Sequence, residues 1–319
     1  MDIEKIFDYA RENNISDIHL LEGEKIYFRK YGEILEYDNN IIVSKDELLE
    51  ICNGKIEEDF SYTDSKSQRY RVNSFLTRGK LALVIRIINK EPIKLKGKFI
   101  NKLIDEKILS LKDGLVLVTG ITGSGKSITL ANIVEKFNKN KNLKILTIED
   151  PIEYIFENKK SLIIQRELGK DVESFEKALK SSLRQDPDVI VLGEIRDEES
   201  LFSALKLAET GHLVFSTLHT MNAVESINRL ISMAKSDKRD FIREQLASVL
   251  RFIFSQELYR DKKTKKVKVI FEILNNTKAV ANLISNNKLN QIPSLIESGI
   301  ENYMITKEKY FKKIEIESD

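Results

Sequence analysis

Leu115-Val116-Leu117-Val118-Thr119-Gly120-Ile121-Thr122-Gly123-Ser124-Gly125-Lys126-Ser127 is the stretch that decides the fold. A short apolar run, bounded by Gly114 and Gly120, reads as a buried strand. The next eight residues fit G-x-x-x-x-G-K-[ST] and open a helical stretch reaching about Phe137. Strand, glycine-rich turn and helix in that order are the context a phosphate-binding loop requires. The glycines let successive backbone N–H groups turn inward around an anion. The helix N-terminus adds a favourable dipole. Lys126 supplies a point charge for β- and γ-phosphates, and the Ser127 hydroxyl suits a Mg²⁺ ion. A chance glycine-rich turn would not place all eight residues in this frame.

Working outward, Leu143–Ile148, Val189–Leu192 and Leu213–Leu218 are further apolar runs, separated by helical stretches at Phe175–Leu183 and Ser200–Glu209. Strands alternating with helices at this spacing predict βαβ units around a parallel sheet. Beyond Asn222 the chain reads as largely helical, broken by a strand-like segment at Val267–Leu274. Upstream the rhythm differs. Ile3, Ile6, Phe7 and Ala10 have helical spacing, Asp46–Ile51 reads as a short helix, and Arg69–Phe75 and Leu81–Ile88 read as strands. The expected fold is therefore α/β. A small α+β domain spans 1–88, a linker 89–98, and a phosphate-loop domain with a mainly parallel sheet and a helical C-terminal region 99–319.

Composition narrows the function classes. The 319 residues are 41% hydrophobic and 32% charged, enough apolar content for a core and too much for a disordered chain. Net charge is +2, and neither half carries the basic excess of a nucleic-acid-binding domain. Asp261–Lys268 holds five lysines and reads as an exposed hairpin tip, with a weaker reading as an anion-binding patch. A single cysteine, Cys52, excludes an internal disulfide and a four-cysteine zinc module. There is no apolar run of membrane-spanning length and no secretory signal, so a cytoplasmic protein is expected.

Hydrolysis also needs carboxylates near the phosphates. Two acidic clusters follow apolar strands, where a parallel sheet presents its ligand crevice. They are Glu149-Asp150-Pro151-Ile152-Glu153 and the Glu194 that follows Val189–Gly193. An isolated carboxylate after a strand is more often a loop residue or helix cap, but two in one phosphate-loop domain weaken that alternative. His212 and His219 bracket the strand Leu213–Leu218, either as capping or core residues or, for His219 at the C-terminal strand end, beside the phosphates. A zinc site is a poor alternative, since the other soft ligands, Cys52 and His19, fall in the first domain.

Together these motifs resemble the secretion ATPases of type II secretion and type IV pilus systems, and among them the pilus retraction ATPases of twitching motility. The resemblance covers nearly the whole chain. Ser16-Asp17-Ile18-His19-Leu20 and Arg69-Tyr70-Arg71-Val72-Asn73-Ser74-Phe75 resemble the first-domain signatures. Glu149–Glu153 resembles the Asp box, Gly193-Glu194-Ile195-Arg196-Asp197 the modified Walker B motif, and Thr210–Thr220 the His box. The resemblance implies a PAS-like first domain, a RecA-like second domain and a homohexameric ring. It implies ATP and Mg²⁺ as cofactors, and work on an inner-membrane pilus platform protein from the cytoplasmic face. It makes Gly120, Thr122, Gly123, Ser124, Gly125, Lys126, Ser127 and Ile128 the nucleotide-binding set, and Ser127 and Glu194 the metal-side residues. Glu153 would be the general base, Glu194 would support Mg²⁺ and water, and His219 would sense the γ-phosphate. Arg71 and Arg86 would bring charge to the phosphates, a role worth about 10³–10⁵ in rate. For Arg71 the plain alternative is a solvated strand residue. Arg86, within an apolar strand, fits that alternative less well.

Two segments depart from the family pattern. The A-I-R-N-L-I motif linked to retraction appears as Ala279-Val280-Ala281-Asn282-Leu283-Ile284, and the preceding H-E-I-M as Phe271-Glu272-Ile273-Leu274. Other readings are a pilus-assembly or secretion ATPase, a nucleic-acid translocase and a non-catalytic regulator. The first commonly carries a longer N-terminal extension and a four-cysteine zinc insertion, neither seen in this sequence. The charge balance disfavours the translocase. The full set Lys126, Ser127, Glu153 and Glu194 disfavours the regulator.

Overall fold

The computed structural model describes residues 2–13, 15–30, 32–37, 41–66, 68–88, 94–260 and 267–316. The chain divides into two compact units, residues 1–91 with 151–155, and residues 92–150 with 156–319. An N-terminal unit built on an antiparallel sheet precedes a larger α/β unit, the α/β class expected. Much of the linker, residues 89–93, and most of the lysine-rich run, residues 261–266, lie outside the described residues.

The first unit comprises α1 (Ile3–Glu12), β1 (Asp17–Leu21), β2 (Tyr27–Lys30), β3 (Glu33–Glu36), α2 (Lys45–Cys52), β4 (Asp59–Thr63), β5 (Arg69–Thr77) and β6 (Lys80–Ile87). Its six strands are all antiparallel, in the order β3-β2-β1-β6-β5-β4. Alternation puts Ile18, Leu20, Val72, Leu83 and Ile85 into one core with Ile6, Phe7 and Ala10 of α1 and Leu48 and Ile51 of α2. Ser44 and Glu47 close a capping box on α2, which fixes where that helix begins.

The second unit comprises α3 (Lys98–Glu106), β7 (Gly114–Thr119), α4 (Lys126–Asn140), β8 (Lys144–Glu149), β9 (Leu162–Glu167), α5 (Phe175–Ser182), β10 (Val189–Leu192), α6 (Glu198–Glu209), β11 (Leu213–Leu218), α7 (Ala223–Met233), α8 (Arg239–Val249), β12 (Leu250–Arg260), β13 (Val267–Asn275), α9 (Lys278–Ser285), α10 (Ile292–Ser298) and α11 (Lys307–Ile316). Its seven strands run β13-β12-β7-β11-β10-β8-β9. All neighbours are parallel except the β12–β13 pair. Side chains of β7 alternate between two cores. Leu115 and Leu117 face one cluster, and Val116 and Val118 face the other. Burial on both faces is why these strands look continuously apolar.

One expectation needs correction. The region after Asn222 is not helical with a single strand-like break. Two long antiparallel strands, β12 and β13, cross it, and β12 is the direct parallel neighbour of the phosphate-loop strand β7. The chain passes from α8 into β12 at Leu250 without an intervening loop, so no turn residue marks the change. The sequence pattern likewise does not set the short strands β4 and β9 apart from their surroundings.

Candidate functional site

The C-terminal ends of the parallel strands carry the chemistry of the second unit. β7 is buried throughout and delivers the chain to Gly120. A Cβ at Gly120 would stand 2.4 Å from the Gln256 carbonyl oxygen and 2.5 Å from Ser124 Oγ, so only glycine fits. Gly123 and Gly125 have φ of 78° and 85°, the left-handed region that glycine reaches without strain. The turn therefore needs glycine for two reasons, close approach at its start and handedness along its length.

α4 opens directly from this turn. Asp2, Ser44, Ser174, Asp197, Asn222 and Thr277 each accept a backbone N–H at the start of their helices, whereas α4, like α3, α8 and α10, has no side-chain cap among the described residues. Its first N–H groups are thus not taken by a side-chain cap, which suits an anion. Lys126 is 9% exposed, and its Nζ donates to the carbonyls of Gly120 (2.7 Å) and Ile121 (3.1 Å). The ammonium is folded back over the loop it belongs to.

The neighbouring strand ends join this loop through named contacts. Thr122 Oγ1 lies 3.3 Å from His219 Nδ1, and His219 Nε2 lies 3.4 Å from Glu194 Oε1. Arg196 Nε donates to Glu194 Oε2 at 3.0 Å and Nη1 to Asp150 Oδ2 at 3.4 Å. The Glu194 hydrogen bond holds the Arg196 guanidinium above its ordinary value, against burial. Thr217 Oγ1 donates to the Gly193 carbonyl at 2.6 Å, and Thr147 Oγ1 to Glu149 at 2.6 Å, tying the ends of β11, β10 and β8 to fixed partners. The structure thus brings Thr122, His219 and Glu194 together. His212, at the other end of β11, bonds through Nδ1 to the Leu207 carbonyl at the end of α6, a capping role.

Glu153 is partly buried in the irregular stretch after β8, among residues that group with the first unit. Burial and the adjacent Glu153 charge push the Tyr154 hydroxyl up to about 12. Arg71 and Arg86 both belong to the first unit and stand directly opposite each other on β5 and β6. Arg71 Nη2 donates to Asp59 at 2.9 Å, and Arg86 Nε to Asp17 at 2.8 Å. The Arg86 side chain is 62% exposed, so its apolar neighbours in sequence do not make it a buried charge.

Sequence reasoning missed Gln256 and gave no role to Arg196. Gln256 lies on β12, the unrecognised strand. Arg196 lies within Gly193–Asp197, and the acidic residues at the ends of β8 and β10 are the signal that a basic partner belongs between them.

Donor chemistry suits a nucleoside triphosphate with a hard divalent ion. The loop offers N–H groups and an ammonium for phosphate, and Ser127 and Glu194 offer oxygen ligands of the kind Mg²⁺ takes.

The chain matches the type II/IV secretion system protein family over residues 1–309. It is 36% identical over 310 residues to the type IV pilus retraction ATPase PilT of Pseudomonas aeruginosa, covering 94% of this chain and 90% of that one. It is 40% identical over 277 residues to a twitching motility protein of Neisseria gonorrhoeae, covering 85% and 72%. The crystal structure of the pilus retraction motor PilT with bound ADP superposes with a TM-score of 0.84 at 34% identity, covering 98% of this chain and 97% of that one. Family match and superposition agree over almost the full length, and the chain belongs to the type II/IV secretion system protein family.

Proposed function

We propose that this protein is a Mg²⁺-dependent ATPase that works as a hexameric motor and retracts a type IV pilus. The observation that carries this reading is the contact chain from Thr122 through His219 to Glu194, which ties the phosphate loop to the carboxylate beyond β10. The similarity to PilT supplies the pilus and the direction of work.

The residues divide the task. The loop N–H groups and Lys126 bind the β- and γ-phosphates. Ser127 and Glu194 would hold Mg²⁺, which when bound neutralises charge on the phosphate oxygens. Glu153 accepts the proton of the attacking water. His219, between Thr122 and Glu194, reports on the γ-phosphate through both. Arg71 and Arg86 bring positive charge to the phosphates. The ring acts on an inner-membrane platform protein from the cytoplasmic side. Among the described residues no helix is long and apolar enough to cross a membrane. Ala281, in place of the family arginine, lies on α9 against the apolar cluster of the larger unit, away from the named catalytic residues in sequence.

The test is Mg²⁺-dependent ATP hydrolysis against protein concentration, with Glu153→Gln alongside. Specific activity should rise with concentration and vanish in the variant, while ATP binding persists. Normal turnover by Glu153→Gln removes the general-base assignment, and ATP binding without turnover at concentrations where the ring has formed removes the motor reading.

A further inference from the structure

β12 pairs with β7 as far as Ser255 opposite Thr119, the last residue before the phosphate loop. Ser255 Oγ and Thr119 Oγ1 are 2.8 Å apart, which pins this register. Gln256 is the next residue, so it runs past the end of β7 and alongside the turn. It meets that turn twice. Its backbone carbonyl lies against Gly120, and a Cβ on Gly125 would stand 3.4 Å from its side-chain Nε2. That same Nε2 donates to the Ser124 carbonyl at 2.6 Å, and the residue is 1% exposed.

The peptide joining Ser124 to Gly125 is a planar trans unit, in which C=O and N–H point in opposite directions. A donor that fixes the Ser124 carbonyl toward Gln256 therefore turns the Gly125 N–H away from Gln256. Packing does not explain the choice of residue. Gln256 Oε1 and Ser124 Oγ are buried without a hydrogen-bond partner among the described residues. Interiors rarely tolerate such atoms without a reason, and an apolar side chain of the same length would avoid one of them.

We propose that Gln256 is a positioning residue of the nucleotide site. Its amide holds the 124–125 peptide in the orientation that presents the Gly125 N–H to phosphate. This rests on reading the loop as an ATP cradle.

Full-length wild type, Gln256→Met and Gln256→Glu are compared by titration with a fluorescent N-methylanthraniloyl ADP, by hydrogen exchange of loop amides without nucleotide, and by thermal unfolding. Methionine keeps the length and removes the donor. It should weaken ADP binding about three- to tenfold and speed exchange at loop amides. The unfolding temperature should change little, since the loss of the unpaired Oε1 offsets the loss of the donor to the Ser124 carbonyl. Glutamate sets an acceptor against the Ser124 carbonyl. Binding should be weaker still at pH 8 and recover relative to wild type at pH 5.5, where a protonated carboxyl can donate. Wild-type binding with a Met variant within twofold of it overturns the proposal alone. Wild type that fails to bind ADP overturns the cradle reading instead. If methionine lowers both affinity and unfolding temperature, the acid recovery of glutamate decides. Recovery upholds the positioning role, and its absence overturns it.

Discussion

Each unit buries a polar cluster, and the two are satisfied to different degrees. In the first unit the Asp64 carboxylate has a fully buried side chain. It accepts from the backbone N–H groups of Lys66 (2.9 Å) and Gln68 (2.8 Å), from Tyr70 Oη (2.9 Å) and from Arg11. In the second unit the surroundings of the phosphate loop leave Ser124 Oγ, Thr129 Oγ1 and Gln256 Oε1 without partners among the described residues. A saturated network fixes one arrangement and stabilises it. A cluster with spare donors and acceptors is set for a ligand, or holds a backbone shape that a ligand needs. At these two clusters the first pattern is that of scaffold and the second that of the candidate site, although His19 Nε2 in the first unit is also buried without a partner among the described residues.

The largest expected effect breaks the scaffold side. Asp64→Asn removes the charge that Arg11 and Tyr70 are arranged around and should cost the first unit about 3 kcal/mol, as for a broken buried pair. Hydrogen exchange at β5 and β6 amides reads this unit by itself, which avoids assuming one transition for the whole chain. A loss below about 1 kcal/mol would class the cluster with ordinary surface pairs. The pH dependence has a definite sign. Burial alone would raise the Asp64 carboxyl, but the Gln68 N–H, Arg11 and Tyr70 outweigh it and hold it below its ordinary value. Its contribution is therefore present above the unfolded value of about 3.9 and is lost as pH falls through the folded value. The gap between wild type and Asp64→Asn should narrow below about pH 4.

The same contrast explains how far the sequence could be read. The phosphate loop was legible because strand, glycines, lysine and helix are contiguous, and their geometry follows from local rules. The Asp64 cluster was not, because Arg11 and Asp64 are 53 residues apart and only the packing of α1 against the sheet brings them together. β12 was hidden for a different reason. Leu250-Arg251-Phe252-Ile253-Phe254-Ser255-Gln256 follows α8 without a glycine or proline, and an apolar run of that length fits a buried helix as well as a strand. Missing β12 meant missing Gln256. Arg86 shows the converse error. Its neighbours Leu83, Val84 and Ile85 are apolar on both faces, and only the cross-strand register with Asp17 and Arg71 reveals an exposed, paired guanidinium.

A middle-sized effect sharpens the site side. His219 is 45% exposed, so His219→Ala should leave the unfolding temperature unchanged. Its partners are Thr122 and Glu194, so the steady-state rate kcat should fall about tenfold to hundredfold, the range for losing a hydrogen bond to a charged group. ADP affinity, which needs no γ-phosphate, should change less. A variant with normal kcat, or one whose ADP affinity falls as far as its rate, would detach His219 from the γ-phosphate.

The smallest expected effect is the most discriminating. Thr129 sits on α4 with no exposed surface, and its Oγ1 has no partner among the described residues. Thr129→Val keeps the shape and removes only the hydroxyl. Replacing a bonded hydroxyl would cost about 1 kcal/mol, whereas removing an unpaired one is neutral or stabilising. If urea unfolding shows no loss, the spare polar atoms near the loop contribute nothing to the scaffold. Their retention must then be sought in nucleotide binding, measured on the same variant. If stability falls as it does for a bonded group, the hydroxyl has a partner in solution, and the division between a saturated scaffold and an open site no longer holds at α4.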